Sequence, residues 1–153
     1  LKIIMKRILK TDTAILILRL ALGWLFLYAG FTKIVNPEWT AKGFLESANT
    51  FSGFYGWLAS PNILPIVDLL NQWGLTLIGA ALILGILVRY SAHLGALLML
   101  LYYFPRLTFP YVGEHSYIVD EHIIYAAAFL VLASMSSNHL WSLSGLFKSH
   151  MKK

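Results

Sequence analysis

Residues 13–35 read TAILILRLALGWLFLYAGFTKIV. This stretch is apolar over about the 20 residues that a helix needs to cross a bilayer. Similar stretches occupy residues 66–88, 91–109 and 119–136. The chain is 58% hydrophobic and 12% charged, whereas a soluble domain has about 25% charged residues. We therefore predict that residues 1–153 form a single all-α domain, an integral membrane four-helix bundle.

Basic residues are unevenly divided between the two sides of such a bundle. The side with both chain ends and the turn after residue 88 carries eight Lys and Arg, and the opposite side carries three. The positive-inside rule then places both termini in the cytoplasm and the bundle in the cytoplasmic (inner) membrane. Because this orientation explains the net charge of +5, we expect no nucleic-acid partner. The absence of cysteine excludes thiolate chemistry and cysteine-ligated clusters.

The connections between the stretches also carry signals. Asn36-Pro37-Glu38 has the composition of a helix start. Apolar residues then recur at helical spacing, which predicts an amphipathic interfacial segment between helices 1 and 2, broken at Gly53 and Gly56. Arg89 and Tyr90 are expected to form the tight turn between the second and third helices, and residues 140–147 an anchor on the inner surface. The recurring residues of the interfacial segment are Phe44, Ala48, Phe51, Tyr55 and Leu58.

One face of the first helix combines charges with small residues. Arg19, Gly23, Phe26, Gly30 and Lys33 follow steps of three and four. The glycines allow a second helix to approach closely. Two roles are open for Arg19: its side chain could reach the inner lipid headgroups by snorkelling, or it could place a charge in the interior of the bundle.

Titratable and polar residues gather in the outer half of the predicted bundle. Each has a structural explanation as an interfacial anchor or ion-pair partner, and Asp120 and Glu121 suit a helix start. Together they could form a pocket that binds a small anion or takes protons from a quinol. Histidines and acids in this region match no metal motif, and His93 and His122 lie at opposite depths, so we predict neither metal nor haem. The group comprises Lys33, Asp68, Gln72, Tyr102, Tyr103, Arg106, Asp120 and His122.

Three runs of sequence resemble the DoxX/DoxD family. They are residues 18–33 (LRLALGWLFLYAGFTK), residues 71–89 with their glycine-rich pattern and basic end, and residues 120–124 (DEHII). The resemblance extends over roughly residues 14–147 and implies a four-helix membrane protein. It also implies a role as the membrane subunit of a thiosulfate:quinone oxidoreductase. Other members look like accessory parts of oxidative-stress or thiol-handling complexes, and members often have glutamate where Gln72 stands.

The leading hypothesis is therefore a quinone-linked oxidoreductase subunit with quinone as its cofactor and an outward-facing site. Its expected partners are membrane lipid, a second redox subunit and further copies of the chain. The alternative is a non-catalytic membrane scaffold or assembly subunit, in which the charges pair internally. A transporter ranks lowest because the middle of each helix is apolar. Substrate binding is assigned to Lys33, Arg106, Gln72, Tyr102 and Tyr103. Catalysis is assigned to Asp68, His122 and Asp120.

Overall fold

The structure, a computed structural model, describes the backbone of residues 2–135 and the side chains of residues 11–135. Two short strands, β1 (Leu107–Thr108) and β2 (Tyr111–Val112), pair antiparallel. The predicted anchor at residues 140–147 lies outside the described residues. The helices within them are α1 (Lys2–Ile34), α2 (Lys42–Glu46), α3 (Ser52–Leu58), α4 (Leu64–Leu84), α5 (Val88–Arg106) and α6 (Glu121–Met135).

Two of the described helices are long and apolar enough to cross a bilayer. They are residues Thr11–Ile34 of α1 and the whole of α4, Leu64–Leu84. The helix α6 is apolar but has 15 residues. The helix α5 has 19 residues but is not apolar enough to count as a candidate span. The chain is thus largely helical with two candidate membrane spans.

The helices α1 and α4 pack closely along the predicted small-residue stripe. A Cβ placed on Gly79 would lie 2.2 Å from the backbone nitrogen of Leu27, and one on Gly30 would lie 2.5 Å from that of Thr76. Only hydrogen at these positions allows the two backbones to approach so closely. Because Phe26 is 2% exposed on the same face of α1, the predicted stripe is confirmed as a packing surface.

The helices α5 and α6 form the second tight pair. Gly95 leaves the space on α5 that the ring of Phe129 fills, since an added Cβ would lie 2.6 Å from that ring. Phe129 is fully buried and meets Phe26 edge to face at a centroid distance of 4.8 Å. This contact links the α5–α6 pair to α1 and joins the helices around one apolar core.

The turn between α4 and α5 differs from the prediction. Gly85 ends α4 with φ at 69°, and the N–H of Ile86 donates to the carbonyl of Ala81, which satisfies an open helix end. Leu87 also has positive φ, at 51°, and precedes α5. Arg89 and Tyr90 lie inside the first turn of α5. Their assignment to the turn was wrong because Gly85, the residue suited to the left-handed conformation, ends the helix earlier.

The segment between α1 and α4 is helical in two short pieces. Asn36 begins a turn, with its side chain accepting from the N–H of Glu38 at 3.2 Å, so the predicted helix start there is wrong. The break between α2 and α3 ends at Phe51, which has φ of 55°, whereas Gly53 and Gly56 lie inside α3. The break therefore comes from the left-handed Phe51 and not from the glycines.

The third predicted helix ends earlier than residue 109. The helix α5 stops at Arg106, and β1 and β2 follow with a cis peptide bond between Phe109 and Pro110. A proline at 110 disfavours helix at the residue before it, which explains the early end. The next helix, α6, begins at Glu121 with Asp120 directly before it.

Candidate functional site

Lys33 connects three helices at one end of the bundle. It lies in the last turn of α1, and its Nζ donates to Asn71 Oδ1 on α4 at 2.8 Å and to the hydroxyl of Tyr102 on α5 at 3.1 Å. The amide of Asn71 also donates to the Tyr102 hydroxyl. The Lys33 ammonium lies 4.7 Å from the ring centroid of Trp39, within the range of a cation–π interaction. The cation is thus held by polar and aromatic groups.

Asp120 and His122 form a dyad at the start of α6. Asp120 Oδ1 accepts from the backbone N–H of His122 at 2.9 Å and of Ile123 at 3.3 Å, so the residue caps the helix. Its Oδ2 lies 2.7 Å from His122 Nδ1. An ionised carboxylate only accepts, so in the neutral ring Nδ1 donates to Asp120 and Nε2 is the acceptor nitrogen. The side chains of His122 and Asp120 are 14% and 5% exposed.

The dyad lies beside the lysine cluster. The His122 ring meets the Tyr102 ring edge to face at a centroid distance of 6.0 Å. The ring of Phe44 also meets the Tyr102 ring edge to face, at a centroid distance of 5.7 Å. Tyr102 therefore contacts both polar groups, the cluster of Lys33 and Asn71 through its hydroxyl and the Asp120–His122 dyad through its ring.

Arg106 stands at the rim. Its Nη1 donates to Glu121 Oε1 at 3.0 Å, and the two side chains are 44% and 59% exposed. A pair this exposed is screened by water and contributes about 0–1 kcal/mol to stability. The guanidinium can therefore exchange this carboxylate for another anion at little cost.

These groups line one polar cleft of about 290 Å³. The cleft unites Lys33, Tyr102, Arg106 and His122 from the sequence-predicted set, with Asp120 behind the histidine. Among residues 11–135, no group of three or more His, Cys, Asp or Glu is placed to hold a metal ion. The full lining is Lys33, Trp39, Thr40, Ala41, Phe44, Asn71, Tyr102, Arg106 and His122.

Two predicted site residues are used elsewhere in the fold. Asp68 Oδ1 accepts from the backbone N–H of Ala41 at 2.8 Å and so ties the start of α2 to α4. Tyr103 is buried and donates to the carbonyl of Ile118 in the segment before α6. Tyr102 and Tyr103 point apart because successive helical residues are rotated by about 100°. Neither Asp68 nor Tyr103 lines the polar cleft.

Two others lie at helix contacts. Gln72 is half-buried where α4 meets α1, and its carbonyl accepts from the Thr76 hydroxyl at 2.8 Å. Arg19 is 7% exposed, so it is buried among the helices. Sequence reasoning missed Asn71, the direct neighbour of Gln72. The feature that could have identified it is an amide side chain in a largely apolar helix, because such side chains normally turn toward other helices.

An apolar groove of about 250 Å³ adjoins the polar cleft. The two share Ala41, Phe44, Asn71 and Tyr102 as lining residues. One wall of the groove comes from α2 and α3 and the other from α4 and α5. Its remaining lining residues are Leu45, Phe54, Tyr55, Leu58, Val67, Leu70, Leu98 and Leu101.

Comparison with known proteins adds one finding. The family model of DoxX matches residues 14–105, more than half of the chain. This range includes Lys33, Asn71 and Tyr102 and ends before Arg106 and the Asp120–His122 dyad. No curated protein and no solved structure matches the chain. The matched range and the two candidate spans together show that the chain is a membrane protein and belongs to the DoxX family.

Proposed function

We propose that the chain is the membrane subunit of a quinone-linked oxidoreductase and that the polar cleft holds the quinone ring. The observation that carries this proposal is the meeting of the Lys33 cluster and the Asp120–His122 dyad in one cleft. A quinone needs hydrogen-bond donors at its carbonyl oxygens and a route for protons, and these groups supply both. The adjoining apolar groove suits a ligand that arrives from lipid.

The cleft has donors available for a carbonyl oxygen. An ammonium has three N–H groups, and two of those of Lys33 go to Asn71 and Tyr102. The third can donate to a ligand. The Tyr102 oxygen accepts from both Lys33 and Asn71, which leaves its own O–H to donate. A bound quinone supplies the acceptor for two electrons and two protons. The protein's part is to orient its ring and deliver the protons.

The dyad is the proposed proton donor. His122 can receive a proton at Nε2 and release it into the cleft, while Asp120 fixes the ring and stabilises the charged imidazolium. Because Asp120 is held by two backbone N–H groups, its carboxylate cannot turn away from the histidine. The geometry thus keeps the histidine oriented throughout the proton transfer.

The electron donor that we propose is thiosulfate or a related sulfur anion at the outer face. Joining two thiosulfate ions to tetrathionate releases the two electrons that quinone reduction requires. Arg106 at the rim supports binding of an anion, because its exposed ion pair with Glu121 can be exchanged for another anion. Since the chain has no cysteine, the sulfur chemistry takes place on the substrate or on a partner subunit. Four membrane crossings and cytoplasmic termini, as expected from the basic residues, belong to this proposal.

The test measures quinone binding and thiosulfate-dependent quinone reduction by the purified protein in lipid nanodiscs, alone and with co-purified partners. Lys33→Met should weaken quinone binding by roughly 10-fold to 100-fold, since a hydrogen bond to a charged group contributes about 1.5–3 kcal/mol. The matched control is Lys42→Met, which removes an exposed lysine paired at 3.8 Å with Glu46. Equal binding by both variants would refute the proposed site.

The dyad has its own matched pair. His122→Gln should lower the rate of quinone reduction by roughly 100-fold or more, the usual contribution of a positioned acid–base group. His115→Gln should leave it unchanged, because the side chain of His115 is 94% exposed. A His122→Gln protein with the full rate would exclude the proposed proton route.

A scaffold or assembly role is the second candidate. It is favoured by the hydrogen bonds of Asp68 to Ala41 and of Tyr103 to Ile118, which hold connecting segments against α4 and α5. In that case Lys33 would likewise only hold helices together. Lys33→Met would then lower the free energy of unfolding, and neither the variant nor the unaltered protein would bind quinone. Thermal unfolding of the variant with and without quinone separates the two functions, since only a binding site gives ligand-dependent stabilisation.

A further inference from the structure

The apolar groove lies beside the polar cleft and shares a wall with it. That wall consists of Phe44 and Tyr102, whose rings meet edge to face, together with Ala41 and Asn71. Tyr102 presents its hydroxyl to the polar cluster and its ring to Phe44. A molecule with its polar end against the Tyr102 hydroxyl therefore has an apolar surface directly alongside.

The groove has the chemistry of a hydrocarbon site. Besides Asn71, Tyr55 and Tyr102, its lining residues have only aliphatic or aromatic hydrocarbon side chains. The Tyr55 hydroxyl is already bonded to the carbonyl of Leu101 at 3.0 Å. The groove also opens at its rim, where Phe54, Leu70 and Leu101 are exposed. The hydrocarbon tail of a bound ligand could thus leave the protein at this rim and continue into lipid.

We propose that the groove holds the first isoprene units of a membrane quinone whose ring lies in the polar cleft. This inference rests on the proposed function and specifies its substrate class as a long-tailed quinone that arrives laterally from the bilayer. The adjacency of the two spaces, which share Phe44 and Tyr102 as lining residues, favours the tail of the same ligand over a separate lipid. A separate acyl chain would not need a groove that shares a wall with the polar cleft.

The binding test compares two ligands that share one ring. One is a naphthoquinone without a side chain, and the other has the same ring with several isoprene units. Leu101→Trp places an indole in the groove, and Leu100→Trp is its control on the same helix, because Leu101 and Leu100 are 37% and 38% exposed and only Leu101 lines the groove. We expect Leu101→Trp to weaken binding of the tailed quinone by about 10-fold, equivalent to about 1.4 kcal/mol. It should leave the tail-less quinone within about twofold, and Leu100→Trp should change neither.

The unaltered protein provides a test that needs no substitution. A quinone that carries a photoreactive diazirine on its second isoprene unit should crosslink to residues of the groove such as Leu98 and Leu70. Crosslinks to Leu97, which is exposed on α5 and does not line the groove, would contradict the inference. Competition by excess unlabelled tailed quinone should abolish the groove crosslinks.

The outcomes separate this inference from the function on which it rests. If both quinones bind and Leu101→Trp weakens them equally, or weakens neither, the groove is not the tail site although the proposed function stands. If neither quinone binds the unaltered protein, the proposed function and the tail site are both refuted. Selective loss of the tailed quinone, together with crosslinks in the groove, supports both.

Discussion

The hydroxyl of Tyr55 satisfies a carbonyl that a proline leaves open. In a regular helix the oxygen of Leu101 would accept from the N–H of residue 105, but Pro105 has none. The Tyr55 hydroxyl donates to this oxygen at 3.0 Å from α3, and Tyr55 is 2% exposed. A buried acceptor without a partner costs about 1–3 kcal/mol. We expect Tyr55→Phe to lower the free energy of unfolding by about this amount, measured by denaturant unfolding in mild micelles with far-ultraviolet circular dichroism.

A double-mutant cycle isolates this mechanism. The backbone of α5 is helical through residue 105, so alanine there would provide an N–H aimed at Leu101. In the Pro105→Ala background, Tyr55→Phe should therefore cost at least about 0.5 kcal/mol less than in the unaltered chain, a coupling of the size measured for membrane hydrogen bonds. An equal cost in both backgrounds would refute the reasoning, since the loss would then come from packing alone.

Alkaline pH gives a second measurement on the same bond. Burial raises the pKa of Tyr55 above its ordinary value. A group with a raised folded-state pKa contributes stability that is fully present below its unfolded pKa, about 10 for tyrosine, and is lost as the pH rises through the folded value. The stability difference between the unaltered protein and Tyr55→Phe should therefore shrink above about pH 10. A difference that grows with pH would contradict the assignment.

Further predictions concern the helix contacts and the polar cleft. Gly79→Ala should lower the free energy of unfolding by at least about 2 kcal/mol through overpacking against α1. Gly74→Ala on the same helix meets open space and should be neutral or stabilising, and denaturant unfolding of the two variants can compare them. Asp120→Asn keeps a side chain able to cap α6, so it should preserve stability and lower the rate of quinone reduction. Asp120→Ala should lower that rate and also lose about 1 kcal/mol of stability. Similar stability losses in the two variants would contradict separate roles for Asp120 in capping and in orienting His122. Arg106→Gln should change stability by less than about 1 kcal/mol and raise the KM for the sulfur anion, because its ion pair is exposed. Tyr102→Phe should weaken quinone binding and Tyr103→Phe should not, which equilibrium titration of the two variants can check.

Helical periodicity predicted the parts of the fold that depend on one helix at a time. The stripe that contains Gly23 and Gly30 is a close helix contact as expected, because residues three and four apart share a face whatever the helix packs against, and the structure shows α4 to be the partner. The resemblance to the DoxX family rested on the order and spacing of the runs at residues 18–33, 71–89 and 120–124, and the match of the family model over residues 14–105 confirms it. The placement of Lys33, Arg106 and His122 in one cleft also follows from the equal depth of their helix ends.

The errors arose where several elements decide together. Whether Asn71 or Gln72 meets Lys33 depends on the rotation of α4, which the contact of Gly79 with α1 sets. Asp68 was expected in the polar cleft and instead accepts from the N–H of Ala41 at the start of α2, a contact between positions 27 residues apart in the chain. No helical wheel of a single segment contains this information.

The double duty of Asp120 bears on how the protein can change during evolution. Serine or threonine at this position would cap α6 equally well and leave His122 without its carboxylate. A lineage could thus lose the proposed chemistry by one substitution while the protein continued to fold, insert and accumulate. The dyad also lies outside residues 14–105, the range that matches the family model. A relative could therefore keep the family match and the architecture and still lack the proposed activity.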